Sequence, residues 1–459
     1  MSETKTQTAL PTNKMGTMPI GKLLLNMALP LVISMLVQAL YNVVDSIYIS
    51  RISESAVTAL SLAFPVQNLL IGCATGVGVG VNSLLSKSLG EQNYERANRT
   101  AGNGFLLAVI FAVLFLLFGA FFAHPYFAMQ STVAETVDGG STYLAIGCIG
   151  SIGVFIEILF ERLLQASGQS FYSMITQATG AIINIVLDPV LIFGWFGLPA
   201  MGIAGAALAT VIGQWVAALL AMYLNKRFNT DLKLKRAHAK PDDYVIRMIL
   251  GVGVPSIIMV GIGSIMNFGM NQILQGFSET ATGVFGIYYK LQSFFFMPLF
   301  GISNAVISIV AFNYGARKPK RMLGTVKLAA ITGLCIMLLG FAAFQFIPEV
   351  LLGIFNPTEE FLAMGVRALR TISYCFPVAA VCIILGSTFQ ALGTGIYSTV
   401  VSLCRQLLVL LPAAYLLSLL GDVNLVWWSF PIAEGMGLAM TLFFFLRLYR
   451  QKIKPLYEN

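Results

Sequence analysis

Two carboxylates stand where carboxylates are costly. Asp45 lies in LLLNMALPLVISMLVQALYNVVDSIYIS (residues 23–50) and Asp188 in NIVLDPVLIFG (184–194), tracts that are otherwise suited to hydrocarbon. An ionisable group there needs a use, such as an ion path, a proton relay or a structural partner. Acids in two separate tracts point first to ion-coupled transport. Four more charges interrupt apolar sequence: Glu157 near the end of one tract, Lys290 in GIYYKLQSFFF, Arg405 in SLCRQLLVL and Glu434 in PIAEGMG. They are candidates for gating or for an internal charge network, since lipid-facing charges would be heavily penalised. For Glu157 the structural alternative is a salt bridge to a basic residue of the second half.

Other chemistry is not written in the chain. The six cysteines all lie in apolar tracts and make no CxxC pair, so they read as small packing residues. His124 and His238 fall at or beyond tract ends. There is no phosphate loop, zinc-protease motif or serine elbow. The expectation is no enzyme, no cofactor, and no metal other than a transported Na⁺.

The elements that must carry these charges are membrane helices. Of 459 residues, 57% are hydrophobic and only 10% charged, against about 25% charged in soluble proteins. Residues 100–134 contain no Asp, Glu, Lys or Arg, and about 20 such residues span a bilayer as helix. Twelve tracts follow, near 22–50, 57–84, 101–124, 140–162, 170–194, 200–224, 247–272, 280–308, 324–347, 361–389, 395–420 and 424–446. Most of the 28 basic residues fall in alternate loops, and the other loops carry mainly acids such as Glu135, Asp138, Glu349 and Asp422. The positive-inside rule therefore places both termini in the cytoplasm of a plasma-membrane, multi-pass protein. The net charge of +8 is a topology signal, and no nucleic-acid partner is expected.

The chain also repeats itself. Pro30 matches Pro255, Asn42 Asn267, Gln67 Gln292, Gly90 Gly315 and Arg96 Arg321, each 225 residues on, and LLQASGQSFYS (163–173) matches TFQALGTGIYS (388–398). Six spans per half put both halves in the same orientation, and two such bundles enclose a central cleft that rocking can open to either side. The expected division is an N-terminal segment 1–21, a six-helix lobe 22–224, a basic linker 225–246, a second six-helix lobe 247–446 and a basic tail 447–459. The fold class is all-α, polytopic. One chain holds both lobes, so a functional monomer is expected. Pro30 in the first tract and Pro189 beside Asp188 are candidate hinges, because proline cannot close its own intrahelical bond. Tyr41, Phe64, Tyr288 and Phe295 are candidate cleft aromatics.

LPLVISMLVQALYNVVDSIYISRISESAVTALSLAFP (29–65), SKSLGEQNYERAN (86–98), ERLLQASGQSFYS (161–173), NIVLDPVLIFGWFGLPAMGIAGAALAT (184–210) and FNYGARKPKRM (312–322) together resemble the multidrug and toxic compound extrusion (MATE) transporters. The resemblance covers about 15–450 and is closest to the DinF-like and MepA-like branch. It implies two six-helix lobes and export of small, often cationic or amphipathic drugs in exchange for Na⁺ or H⁺. In that branch the cation site lies in the first lobe, and the matching positions are Asp45, Asn184, Asp188 and Thr210. The seventh tract has no acid, so a second-lobe sodium site is not implied. Asn184 and Asp188, four apart, share a helix face. Carboxylates, an amide oxygen and a hydroxyl suit Na⁺, and two close carboxylates can also share a proton. Of the two ions the set favours H⁺, which needs no full oxygen shell. A flippase for a lipid-linked precursor is the rival, kept open by Lys290 and Arg405.

Overall fold

The computed structural model describes residues 13–355 and 357–458; of the N-terminal segment, residues 1–12 lie outside the described residues. Apolar runs longer than the hydrocarbon core become long helices. The first six are α1 Ile20–Ser50, α2 Glu54–Gly90, α3 Tyr94–Ala128, the bent pair α4 Ala134–Ile149 and Ile152–Ala166, α5 Ser170–Phe193 and α6 Gly202–Phe228. The second six are α7 Asp243–Gln275, α8 Glu279–Gly315, α9 Pro319–Phe346, the bent pair α10 Glu359–Ser373 and Phe376–Ala391, α11 Gly395–Ser418 and α12 Ser429–Leu448. Among the described residues ten helices are long and apolar enough to cross a bilayer, and the bent pairs bring the count to twelve. The bends are 45° in α4 and 47° in α10, the same place in each repeat.

The 225-residue register survives in backbone detail. Ser53 and Ser278 are both extended and cap α2 and α8, each hydroxyl accepting from the amide three residues on at 3.1 Å. Gln92 and Arg317 both have positive φ (57° and 52°), as do Gly168 and Gly393 (83° and 73°). Arg96 donates to Ser88 Oγ (2.9 Å), and its counterpart Arg321 donates to Asn313 Oδ1 (3.2 Å).

Contacts between the repeats are reciprocal. A Cβ on Gly90 would overlap the Phe312 carbonyl, and one on Gly315 would overlap the Lys87 carbonyl. Gly76 faces Ile257, and Gly301 faces Val32, whose backbone nitrogen is 2.7 Å from the Cβ position. Each pair exchanges residues 225 apart, as across a two-fold axis. Glycine is required because only a missing Cβ lets helix backbones approach so closely.

These contacts also locate the cleft. Along α2, Gly80, Gly76 and Gly72 meet Ile249, Ile257 and Val260 of α7, and the Asn68 amide donates to Ser264 Oγ at 2.9 Å. The next residues on these two faces are Phe64 and Phe268, which are 61% and 67% exposed. The faces that pack toward the basic end have parted toward the acidic end.

The basic end is tied shut. Ser83 donates to the Gln390 carbonyl (2.8 Å), and Arg162 of α4 donates to Asn304 Oδ1 of α8 (2.9 Å). The polar N-terminal segment, which nothing in its composition marks as packed, also joins the repeats. Its single turn, Lys14–Thr17, follows Asn13, whose amide reaches the Ser167 carbonyl (3.2 Å) in the first repeat and Asp231 Oδ2 (2.7 Å) in the segment that follows it. On the other side, Arg321 donates to the Met15 and Met18 carbonyls (3.1 and 2.6 Å) and Lys318 to the Gly16 carbonyl (2.9 Å).

Candidate functional site

Close packing of α5 on α6 assembles the polar cluster. The Cβ position of Gly213 lies 2.8 Å from the Gly180 carbonyl and 3.4 Å from the Asn184 Cβ. Thr210, one turn earlier, therefore sits beside Asn184. The Asn184 amide is 3.0 Å from Thr210 Oγ1 and 3.0 Å from Asp188 Oδ2; both are satisfied when its N–H donates to Asp188 and its oxygen accepts from the Thr210 backbone N–H and hydroxyl. Asp188 is fully buried.

Asp45 comes to the same cluster from α1, close enough to repel the Asp188 carboxylate. Tyr41, one turn before it on the same face, reaches Thr210 with its hydroxyl. Tyr143 of α4 stands beside both acids and accepts from the Gln67 amide at 3.0 Å. The Oδ1 atoms of Asp45 and of Asp188 are buried without a hydrogen-bond donor. Buried acceptors are almost always satisfied, so two orphans in one cluster suit a proton or a small cation. Pro189 is buried inside α5, which runs through it as one continuous helix; the Ile185 carbonyl one turn back lacks the backbone donor that proline cannot supply.

The other charges sort differently from their sequence setting. Glu157 lies near Tyr41 and Glu161 and 3.5 Å from the Cβ position of Gly180. It makes no ion pair with a second-half base among the described residues. Its neighbour Arg162 crosses to α8 instead, and also holds Gln165 (2.9 Å), while Thr176 donates to Glu161 (2.9 Å). Arg405 and Glu434 do pair, with Nη1 at 2.9 and 3.0 Å from the two carboxylate oxygens. Arg405 projects from a π-helical stretch, Cys404–Leu410. At the 225 offset it replaces Gly180, and Glu434 adjoins Gly435, which replaces Thr210. The second repeat thus holds an Arg–Glu pair at positions that match the α5–α6 contact of the first, while the positions matching Asp45 and Asp188 are the uncharged Met270 and Ala413. Lys290 does not join that pair: it is exposed on α8 and has no ion-pair partner among the described residues.

The aromatic candidates divide. Phe64 faces the parted surface and Tyr41 the acids. Tyr288 is 2% exposed, packed against Phe285, Phe344 and Phe430, with its hydroxyl donating to Gln292 (2.7 Å). Phe295 packs on Phe344, Phe376 and Gly340. These two belong to the second lobe's core, not to the cleft. Tyr143 went unnoticed in the sequence, although the paired Gln67 and Gln292 carried a signal: both bond a tyrosine hydroxyl. No group of three or more His, Cys, Asp or Glu that could hold a metal exists among the described residues.

Twelve helices in two parallel repeats, parted at one end and carrying buried acids beside the opening, define a polytopic membrane transporter. The MatE family model matches residues 30–190 and 255–416, once per repeat, and the chain belongs to that family. It is similar to the multidrug export protein MepA of Staphylococcus haemolyticus (strain JCSC1435), with 25% identity over 92% of this chain and 93% of that one. The fold matches the outward-facing conformation of a multidrug resistance MATE transporter of the MOP superfamily (TM-score 0.89, 23% identity, covering 98% and 99% of the two chains). It also matches a MATE crystal structure in the straight conformation (TM-score 0.89, 23% identity, 98% and 100%).

Proposed function

We propose that the protein exports organic cations or amphipathic drugs by antiport with H⁺ or Na⁺, the lobes 22–224 and 247–446 rocking about their shared interface while the basic linker 225–246 joins them. The carrying observation is the pair Asp45 and Asp188, each with a buried oxygen that has no donor, with Asp188 held by Asn184, which Thr210 in turn orients. A cation or proton arriving there changes the charge of the α1–α5 contact, and so biases how α1 sits against α8. The likeness to MepA, a multidrug export protein, supports the drug reading.

H⁺ is the ion the ligand set favours, since the acids can share a proton without a full oxygen shell. In reconstituted vesicles, a pH gradient alone should drive export of a cationic dye. Export driven by a sodium gradient at zero pH difference and zero potential would reverse that assignment, and no export under either gradient would reject antiport. Pro30 sits inside α1 one residue from the Leu31–Val32 crossing with Gly301, so bending there would move Asp45. In the same vesicles Pro30→Ala should weaken coupled flux more than equilibrium dye affinity; normal coupled flux would remove the hinge.

The alternating basic loops support a topology with both termini in the cytoplasm and the acids toward the outside. A cysteine at Glu135 should react with an impermeant reagent on intact cells, and one at Lys235 should not. The reverse pattern would invert the topology. A flippase reading would need a cluster of free cations to cradle a pyrophosphate. Arg405 is neutralised by Glu434, leaving Lys290, so this reading is not favoured.

A further inference from the structure

Lys290 is the charge that the coupling site does not use. Its place on α8 follows from helix geometry. Gly301 faces Leu31 and Val32 of α1. Eleven residues make three turns plus about 20°, so Lys290 lies on the same face of α8, about 16 Å nearer the acidic end at 1.5 Å per residue. Phe294 and Gly286, on that face on either side of Lys290, are exposed as well. On α1 the corresponding position, Val43, is exposed. The α1–α8 seam therefore opens above Gly301 as the α2–α7 seam opens above Asn68, and Lys290 stands in the opening.

Depth supplies a second argument. Lys290 is eleven residues into α8 from Glu279, about 16 Å below the acidic end. An ammonium at that depth is tolerated where it faces a water-filled cavity and is costly facing lipid. It is also uncompensated by protein: among the described residues no carboxylate pairs with it, and both oxygens of Glu434 are taken by Arg405. The cleft is then bipolar. The first lobe contributes the acids Asp45 and Asp188, the second contributes one free ammonium, and exposed Phe64 of the first lobe and Phe268 and Phe294 of the second offer aromatic surface.

We propose that Lys290 is an anion subsite of the cleft, selecting amphipathic zwitterions: an aromatic body with a cationic group toward the first lobe and a carboxylate at Lys290. The ammonium supplies a charge-assisted hydrogen bond to a carboxylate and only a weaker bond, without the opposite charge, to the corresponding ester. This rests on the drug-export reading above, and it narrows the substrate class.

The test uses the full chain in lipid nanodiscs and two dyes of one skeleton. Rhodamine 110 carries a free carboxylate, and rhodamine 123 is its methyl ester. Affinities are read by fluorescence anisotropy. Lys290→Met should weaken rhodamine 110 about tenfold, as loss of one charge-assisted contact implies, and leave rhodamine 123 within about twofold. Lys290→Arg, which keeps the charge, should retain most of the rhodamine 110 affinity. The ester serves as the folding control. Equal weakening of both dyes, or no change in either, overturns the subsite. If rhodamine 123 is bound and exported while the acid shows no dependence on Lys290, the subsite fails and drug export stands. If wild type binds neither dye and no gradient drives export, both fail.

Discussion

Asp45→Asn and Asp188→Asn should each abolish gradient-driven export while the protein still inserts and folds. Asparagine keeps the size of aspartate and removes the charge that a proton or cation must neutralise. Asp188 is fully buried and bonded to Asn184, and Asp45 approaches it from a different helix. The pair therefore links the first helix, which also crosses the second lobe at Gly301, to the α5–α6 unit. Losing either acid uncouples ion from substrate. Dye affinity at equilibrium should change far less. The two changes act on one unit, so the double variant should be no worse than the more severe single one. Proteoliposome flux beside dye titration measures both quantities. Unchanged flux in both single variants would reject the site.

Arg405→Met should be strongly destabilising, by about 3–5 kcal/mol, because it leaves a buried Glu434 carboxylate without its partner. Glu434 is 7% exposed, and both of its oxygens lie within 3.0 Å of Arg405 Nη1. Glu434→Met should destabilise too, stranding the guanidinium. The double variant Arg405→Met with Glu434→Met should recover most of the loss, since an apolar pair of similar volume often replaces a buried ion pair at little cost. Trp427, fully buried in the second lobe, offers an intrinsic signal for thermal unfolding in detergent. A double variant no more stable than the single ones would show that the two charges do not depend on each other. Driven export by the double variant would separate this strut from the acids of the first lobe.

Sequence alone determined the class, the twelve spans, the alternation of basic loops and the 225-residue register. These are local or additive properties: the length of an apolar run, the side on which lysines and arginines fall, and coincidences at one spacing. It also singled out Asp45 and Asp188, because a carboxylate among apolar residues stands out without any knowledge of its neighbours. The spacing of Asn184 and Asp188 put them on one face. Thr210 came only through the family resemblance, and Tyr143 was missed. What the tertiary structure decided is which way each helix is turned. Lipid and protein core are both apolar, so a membrane helix shows no clear polar face to fix its rotation. That is why Tyr288 and Phe295 could pass for cleft residues although they are packed in the second lobe, and why Glu157 could be assigned the cross-lobe contact that its neighbour Arg162 makes. It is also why Lys290 and Arg405 looked alike in sequence. One is paired with Glu434 and the other faces the opening, a difference set by helix rotation and by the close glycine crossings that hold the lobes together at one end and let them part at the other.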